Sequence, residues 1–306
     1  MIHSIPDGVY PTMVTPYTQD NQIDYNAVER LLYWYQERGV AGVFAICQSS
    51  EIFFLSFEER LALLDFVMRH KPEGMTVVAS GHVADDRERQ IEEAKRFIDK
   101  GIDAYVFIAN RFADADESDD ALWERMEHAA DSLPEIGLGV YECPYPYKRL
   151  LTPELLAKMA ATGRYQFLKD TCCDIDMIRR KLKAVEGSAL KIFNANSATI
   201  LDSLRAGCAG FSGVMANFHP ELYADLCECW RTDPERAEIL QAFLGFASLA
   251  ECQCYPVNAK YYQQLEGLPV NIDSRVRDKR EFTPNRQAEI RQMQRLTNDF
   301  KKYILR

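Results

Sequence analysis

Two residues that could take part in covalent and proton-transfer chemistry end short apolar runs. Lys169 closes the run 165–169, and Tyr141 closes the run 137–141. A lysine buried among apolar neighbours loses hydration, so its pKa falls and its neutral amine becomes a nucleophile for a carbonyl. A phenol beside that amine can carry protons to and from a carbinolamine, the intermediate that precedes an imine. Together the two residues indicate Schiff-base chemistry.

Both residues also have a structural interpretation. A lysine can simply cap a strand end, and most buried tyrosines pack in a core with a satisfied hydroxyl. Lys191 is a rival amine, but it stands two residues before the end of its own run. Residues two apart share a strand face, so Gly137 and Gly139 are expected on the side of Tyr141, where they would leave room for its ring and a ligand.

A third segment with binding potential is the loop 47–51, which reads Cys-Gln-Ser-Ser-Glu. Consecutive backbone N–H groups and small hydroxyls in such a loop can bind a carboxylate. An ordinary turn would contain the same serines. Ser49 and Ser50 are therefore candidates for substrate binding.

Other kinds of catalytic site have no signature in the sequence. The five histidines are scattered and form neither HxH nor HExxH, so no metal site is expected. There is no GxSxG elbow and no GxGxxG turn. The nine cysteines show neither a disulfide framework nor a CxxC pair, and we interpret them as buried free thiols. Of the kinds of catalysis considered, chemistry by an amine and a phenol is the one for which the sequence offers suitable residues.

The chain that carries these residues alternates between two kinds of segment. Apolar runs rich in Val, Ile, Phe and Tyr recur at intervals of roughly 20 to 35 residues, each followed by a stretch with helical period. The predicted strands end near Thr15, Ile46, Ser80, Ile108, Tyr141, Lys169, Phe193 and Phe211. The predicted helices span 24–38, 56–70, 85–100, 117–132, 152–161, 174–184, 197–206 and 220–231.

Eight strand–helix units predict parallel strands, and right-handed crossovers allow such units to close into a (β/α)8 barrel. An open doubly wound sheet is the competing architecture. That sheet usually carries a Gly-rich nucleotide turn after its first strand, where this chain has Thr15-Pro16-Tyr17. We therefore predict an α/β fold, a TIM barrel over residues 1–232 with a C-terminal helical segment.

The C-terminal helical segment is predicted over residues 233–306, where the strand pattern stops. Helices are expected at 234–250, at 257–265 and from 286 onward. The last helix has an apolar stripe at spacings of three and four, formed by Ile290, Met293, Leu296, Phe300 and Ile304. This stripe predicts that the helix packs against the rest of the protein.

Composition limits the possible partners. The 306 residues contain 36 Lys and Arg against 46 Asp and Glu, and the net charge of −10 argues against binding to nucleic acid. Pro6, Asp7 and Gly8 stand where a signal peptide would need an apolar stretch, and no run is long enough to span a bilayer. We expect a cytoplasmic protein that acts on a small molecule, with neither nucleic acid nor membrane as a partner.

Taken in order, several segments resemble the dihydrodipicolinate synthase and N-acetylneuraminate lyase family of class I aldolases, over nearly the whole chain. Tyr141 with Pro144 matches the family's YxxP motif, and Lys169 with Asp170 matches its Schiff-base lysine. The other matching segments are 14–16, 23–24, 39–43, Glu51, 55–60 and Ala216-Asn217 with Pro220. The combination is much more specific than any one of its parts.

The resemblance implies that Lys169 forms an imine with a 2-oxo acid, most often pyruvate, and that Tyr141 is the general acid/base. Ser49 and its loop backbone would hold the substrate carboxylate, and Ser212 would border the site. The other predicted substrate-binding residues are Gln48, Ser50, Arg111 and Thr171. The resemblance also implies a homotetramer and no metal or organic cofactor, since the imine on Lys169 is the electron sink.

Three departures from the family pattern concern the substrate. Gln48 stands where a hydroxyl residue is typical, the run 109–111 replaces a Pro-Tyr-Tyr run, and Pro146 replaces an arginine. These changes argue against dihydrodipicolinate synthesis itself. We hypothesise a hydroxylated 2-oxo acid with a polar or acidic far end that Arg111 grips. The alternative for Arg111 is a surface salt bridge.

The sequence therefore predicts a Schiff-base lyase or aldolase that acts on pyruvate or a pyruvate-derived hydroxy-2-oxo acid. Three alternatives stay open. They are dihydrodipicolinate synthase proper, a 2-oxo acid dehydratase that uses the same imine, and a non-catalytic barrel that binds 2-oxo acids.

Overall fold

Eight parallel strands form the centre of the protein, whose computed structural model describes residues 4–304. Strands β1 to β8 are Gly8–Val9, Gly42–Phe44, Thr76–Ala79, Ala104–Ile108, Gly137–Tyr141, Tyr165–Asp170, Lys191–Asn194 and Gly210–Phe211. A helix follows each strand, as the alternating pattern of the sequence predicts. The buried core includes these strands, because side chains fill the barrel on one face of each strand and helices cover the other face.

The strands close into a barrel. Their order is β1-β8-β7-β6-β5-β4-β3-β2. The two end strands, β1 and β2, are joined by a parallel bridge between Thr12 and Phe44 and by a hydrogen bond of 3.1 Å from Ala41 N to Val9 O. The predicted (β/α)8 TIM barrel is confirmed.

The barrel helices begin at the signals that the sequence contains. Helices α1 to α8 are Tyr25–Gln36, Phe57–His70, Arg87–Ile98, Asp119–Asp131, Pro153–Ala161, Ile175–Ala184, Ile200–Ala206 and Pro220–Cys229. Ser56 N donates to Glu59 Oε2 at 2.9 Å and Glu59 N donates to Ser56 Oγ at 3.1 Å, which completes a capping box. Thr152 caps α5 by accepting from Leu155 N at 3.3 Å, with Pro153 at the first helical position.

The first strand is shorter than predicted. The sequence places its end near Thr15, whereas β1 ends at Val9. Pro11 interrupts the ladder because it has no N–H to donate, although its carbonyl accepts a hydrogen bond of 2.9 Å from Phe44 N. Thr15 instead donates its hydroxyl to Ser50 O at 2.8 Å. The end of this segment therefore braces the loop after β2.

Three helices follow the barrel. Helix α9 is Pro234–Ala247, α10 is Val257–Leu265 and α11 is Pro284–Ile304. Helices α9 and α11 stack through Phe243 and Phe300, whose ring centroids lie 4.2 Å apart. The boundary at residue 232 stays a prediction. None of the helices in residues 4–304 combines the length and the apolar character needed to cross a bilayer.

The apolar stripe of α11 differs from the prediction at one position. Ile290 is buried and Met293 half-buried, but Leu296 is 59% exposed. Thr297 takes the buried place, and its hydroxyl donates to Met293 O at 2.8 Å. At about 100° per residue, Thr297 falls between Ile290 and Met293 around the helix, and Leu296 falls outside that arc.

A buried carboxylate ties the C-terminal segment to the loop after β2. Glu51 Oε1 accepts from Lys260 Nζ at 3.0 Å. Its Oε2 accepts from Ser274 Oγ at 3.1 Å, from Arg275 N at 2.5 Å and from Val276 N at 3.1 Å. The backbone of Glu51 is left-handed, with φ 64°, which costs a non-glycine residue about 1 kcal/mol. These four contacts hold it in that conformation.

Candidate active site

Lys169 and Tyr141 face each other on neighbouring strands. They are partners in the β5–β6 register, and Lys169 Nζ lies 4.1 Å from the centroid of the Tyr141 ring. Lys169 is 3% exposed and Tyr141 is 4% exposed. Both stand at the carboxyl ends of their strands, which is the end of a barrel where active sites form. The structure brings together the two residues predicted to do the chemistry.

Gly139 has a different role from the predicted one. A Cβ at this position would lie 2.8 Å from Phe167 O and 3.1 Å from Val106 Cγ2. The glycine therefore allows β5 to pack closely against its neighbours. It does not open room for a ligand.

Burial changes the proton affinity of both groups. Loss of hydration lowers the pKa of Lys169, and nearby thiols and carboxylates partly oppose this effect. Burial raises the pKa of Tyr141 well above its usual value. At neutral pH the phenol therefore keeps its proton, and the amine gives up its proton more readily than an exposed lysine does. Attack on a carbonyl requires this pairing of a neutral amine with a proton donor.

Gln48 orients the Tyr141 hydroxyl. The hydroxyl donates to Gln48 Oε1 at 3.1 Å, and the Cys143 thiol donates to the same oxygen at 3.4 Å. Gln48 begins a 3-10 turn that follows β2. An amide oxygen accepts a hydrogen bond but does not take the proton at neutral pH. Gln48 therefore positions the phenol and does not relay its proton.

The two serines of the same turn have different surroundings. Ser49 is 6% exposed and donates its hydroxyl to Thr12 Oγ1 at 3.0 Å. Ser50 is fully buried, accepts from Cys47 N at 3.1 Å and lies 2.9 Å and 2.7 Å from two backbone carbonyls. Because backbone groups occupy its hydroxyl, Ser50 stabilises the turn, and its predicted contact with substrate stays a prediction.

Thr171 and Ser212 lie directly after β6 and β8. The Thr171 hydroxyl donates to Glu142 O at 2.7 Å. The Ser212 hydroxyl donates to Tyr10 O at 3.0 Å, and Ser212 is fully buried. Each hydroxyl proton is engaged with the backbone, so each residue would meet a ligand only through its oxygen lone pairs.

Arg111 is turned toward the loop after β3. One terminal nitrogen donates to Val83 O at 2.9 Å, to Ala84 O at 3.1 Å and to Asp85 Oδ1 at 2.9 Å. The ion pair with the exposed Asp85 corresponds to the salt bridge that the sequence left open. A grip on the far end of a substrate would require the guanidinium to leave these partners, and it stays a prediction.

Three buried charged residues beside the site were not singled out from the sequence. Lys181 Nζ lies 2.5 Å from Glu142 Oε1 and 2.5 Å from Asp170 Oδ2, and all three side chains are 0% exposed. Glu142 follows Tyr141, and Asp170 follows Lys169. Strand alternation could have placed both carboxylates outside the barrel. No local pattern indicates their partner on α6.

Two further residues were missed because they lie after the barrel strands. Tyr255 accepts from Asn217 Nδ2 at 3.2 Å, and the same nitrogen donates to Thr12 O at 2.9 Å. This places the Tyr255 phenol near the serine turn. Glu251 is half-buried; burial raises its pKa, and the positive charge of Lys169 partly opposes that rise. The C-terminal segment therefore contributes a phenol and a carboxylate to the surroundings of the site.

Known proteins share this sequence pattern and this fold. The model of the dihydrodipicolinate synthetase family matches residues 5–278. A 4-hydroxy-tetrahydrodipicolinate synthase of Saccharophagus degradans is 24% identical over 221 residues, which cover 72% of this chain and 74% of the relative. An N-acetylneuraminate lyase of Mediterraneibacter gnavus is 27% identical over 224 residues, which cover 72% of this chain and 69% of the relative.

A solved structure shows the same architecture. It is a prophage protein of the dihydrodipicolinic acid synthase family from E. coli K12, in complex with pyruvate. The two chains superimpose with a TM-score of 0.85 at 23% identity, over 96% of this chain and 98% of the other. The likeness extends through the C-terminal helices as well as the barrel.

Proposed function

The chain belongs to the dihydrodipicolinate synthetase family, and from that premise we propose that it is a Schiff-base lyase of the class I aldolase type. It makes or breaks a carbon–carbon bond of pyruvate or of a pyruvate-derived hydroxy-2-oxo acid. The observation that carries the proposal is an almost fully buried Lys169 whose Nζ lies 4.1 Å from the Tyr141 ring centroid.

Imine formation assigns one role to each residue. The neutral Lys169 amine attacks the C2 carbonyl of the 2-oxo acid, and a proton moves from nitrogen to oxygen to give a carbinolamine. Tyr141, oriented by Gln48, donates a proton to the departing hydroxyl. Water leaves, and the lysine nitrogen becomes part of a protonated imine.

The protonated imine then accepts electrons. In the cleavage direction, the Tyr141 phenolate left by the loss of water takes the proton from the C4 hydroxyl, which turns C4–O into a carbonyl and breaks the C3–C4 bond. The bond's electron pair moves toward the imine and forms an enamine, which takes the proton back from Tyr141 on C3. Hydrolysis releases pyruvate and restores the Lys169 amine, and synthesis runs the same steps backward. The proposal includes no metal and no organic cofactor.

Trapping the covalent intermediate tests the proposal. The wild-type protein with pyruvate and cyanoborohydride is expected to gain one reduced adduct, located on Lys169 by peptide mass spectrometry. Absence of the adduct at saturating pyruvate would contradict both lyase and dehydratase chemistry and leave the non-catalytic barrel. Release of an aldehyde from hydroxy-2-oxo acids would then distinguish a lyase from a dehydratase, which releases water instead.

The two neighbouring serines are expected to respond differently to substitution. Ser49→Ala should raise the pyruvate KM roughly tenfold, because a hydroxyl that turns from Thr12 Oγ1 to donate to the substrate carboxylate is lost. Ser50→Ala should lower the free energy of unfolding by about 1–3 kcal/mol, because buried backbone groups lose their partner. Steady-state kinetics and denaturant titration measure the two effects. A KM effect confined to Ser50→Ala would contradict the assignment.

The remaining substrate contacts are proposals of the same kind. Ser49 with the backbone of its turn would hold the carboxylate, while the oxygens of Thr171 and Ser212 would border the covalent adduct. A hydroxylated 2-oxo acid with a polar far end is supported by the polar Gln48 at the site, which accepts from Tyr141. Comparing kcat/KM for 4-hydroxy-2-oxo acids whose far ends are polar or apolar tests this preference, and equal values would contradict it.

We also propose a homotetramer in the cytoplasm, as the family resemblance implies. Phe246 and Leu249, near the end of α9, are 73% and 68% exposed, and large apolar side chains on a surface often mark an interface. Native mass spectrometry should find four chains per particle. A monomer at working concentrations would contradict the tetramer, and cell fractionation checks the location.

A further inference from the structure

A buried triad of charges lies directly behind the two reacting side chains. Successive side chains of a strand point to opposite faces, so the residues after Tyr141 and Lys169 point away from the barrel interior, toward the helix layer. These residues are Glu142 and Asp170. Lys181 of α6 lies between them, 2.5 Å from one oxygen of each, and the three side chains are fully buried.

The loops that leave both strands are fastened to this triad. Glu142 Oε1 accepts from Leu151 N at 2.8 Å and Glu142 Oε2 accepts from Thr171 N at 2.9 Å. Asp170 Oδ1 accepts from Cys172 N at 3.0 Å. The strand ladder ends one residue past Tyr141, where Glu142 N donates to the carbonyl of Lys169 at 3.3 Å. Beyond this last backbone hydrogen bond, the side chains of the triad connect the segments that follow β5 and β6.

The charges of the triad do not balance. Two carboxylates face one ammonium, which leaves one negative charge in excess when all three groups are ionised. Buried ion clusters give little net stability compared with apolar packing, so stability alone is a poor reason for such a cluster. Its place is informative, because Glu142 follows Tyr141 directly. Burial lowers the pKa of Lys169, and Cys47, Cys143, Glu251 and then Glu142 oppose that fall by favouring its ammonium form. Burial and the nearby Asp170 raise the pKa of Glu142 itself.

We propose that Lys181 is a positioning residue for the reaction. With Glu142 and Asp170 it fixes the ends of β5 and β6 so that Lys169 and Tyr141 meet, and Glu142, when ionised, adds a negative charge to the surroundings of the Lys169 amine. This inference rests on the proposed function of Lys169 and Tyr141.

Glu142→Gln tests the charge while keeping the shape of the side chain. The rate of cyanoborohydride trapping with pyruvate is measured over a pH series, and its fall at low pH, as the Lys169 amine takes up a proton, is here called the acid limb. In Glu142→Gln the acid limb should lie at a pH lower by roughly 0.5 to 1 unit than in the wild type. The shift has this sign because the removed carboxylate stabilised the ammonium form of Lys169. A purely structural role would lower the rate at every pH and leave the limb in place.

Lys181→Met tests the positioning. It should lower the trapping rate at the optimum pH by roughly 10²-fold, the effect of misplacing reacting groups by about 1 Å. Circular dichroism melting shows whether the variant folds, and Glu142→Gln decides the proposal if it does not. The matched control is Glu93→Gln, since Glu93 is 5% exposed and pairs with Arg60 at 3.4 Å in another part of the barrel. Its acid limb should coincide with that of the wild type.

The outcomes separate this inference from the proposed function. If the wild-type protein forms no adduct, the proposed function fails and the inference fails with it. If the wild-type protein forms the adduct and Glu142→Gln has the same acid limb as Glu93→Gln, the inference alone is overturned. A limb shifted to lower pH only in Glu142→Gln supports it.

Discussion

Lys169→Met is expected to abolish the trapping of pyruvate and to lower kcat/KM for aldehyde release by about 10⁴-fold or more. The thioether has no nitrogen with which to form the imine, so nothing can accept the electron pair of the C3–C4 bond. Peptide mass spectrometry after reduction and steady-state kinetics measure the two effects. Stability should not fall, because removing a buried ammonium also removes its cost of desolvation.

The control for this substitution is another lysine of the barrel. Lys191 begins β7, is 30% exposed and donates to Ile5 O at 2.6 Å and to Asp7 Oδ1 at 2.7 Å. Lys191→Met should keep the adduct on Lys169. An adduct that persists in Lys169→Met, at Lys191 or elsewhere, would contradict the assignment of the nucleophile.

Tyr141→Phe is expected to lower the rate of imine formation by roughly 10²- to 10⁴-fold, the usual contribution of a positioned acid or base. The ring still packs beside Lys169, but no hydroxyl remains to protonate the departing water. The loss should appear in kcat and in the trapping rate, with little change in KM, because the hydroxyl donates to Gln48 and not to a substrate carboxylate.

A second buried tyrosine supplies the comparison. Tyr165 begins β6, is 1% exposed, and its hydroxyl has no hydrogen-bond partner within residues 4–304. Tyr165→Phe removes the same atom from the same barrel and should leave the trapping rate unchanged. Equal rates in Tyr141→Phe and Tyr165→Phe would show that the Tyr141 hydroxyl carries no proton in the reaction.

The sequence predicted the features that depend on neighbours in the chain. The ends of β4, β5 and β8 and the caps at Ser56 and Thr152 follow from short apolar runs and local hydrogen bonds. The prediction that Lys169 and Tyr141 lie together needed one further rule, that carboxyl ends of parallel strands meet at one end of a barrel. The sequence alone is therefore enough to predict that Lys169 and Tyr141 lie together.

The sequence could not show contacts between distant parts of the chain. Lys181 reaches Glu142 across 39 positions, and Arg111 reaches the carbonyl of Val83 across 28. The role of Ser50 was hidden for a related reason, since its local sequence is equally typical of a ligand-binding loop. Such contacts depend on how helices and loops pack on the barrel, and that packing leaves no fixed spacing in the sequence.

The anchoring of Glu51 by the C-terminal segment has a consequence for how substrate choice could change. Ser274 and the backbone of 275–276 set the conformation of the turn that contains Gln48 and Ser49, although more than 220 positions separate Glu51 from these partners. Mutations at 274–276 therefore act on the recognition loop from outside it. Evolution, or a library of variants at these positions, can therefore change the conformation of that loop without altering any residue that faces the substrate.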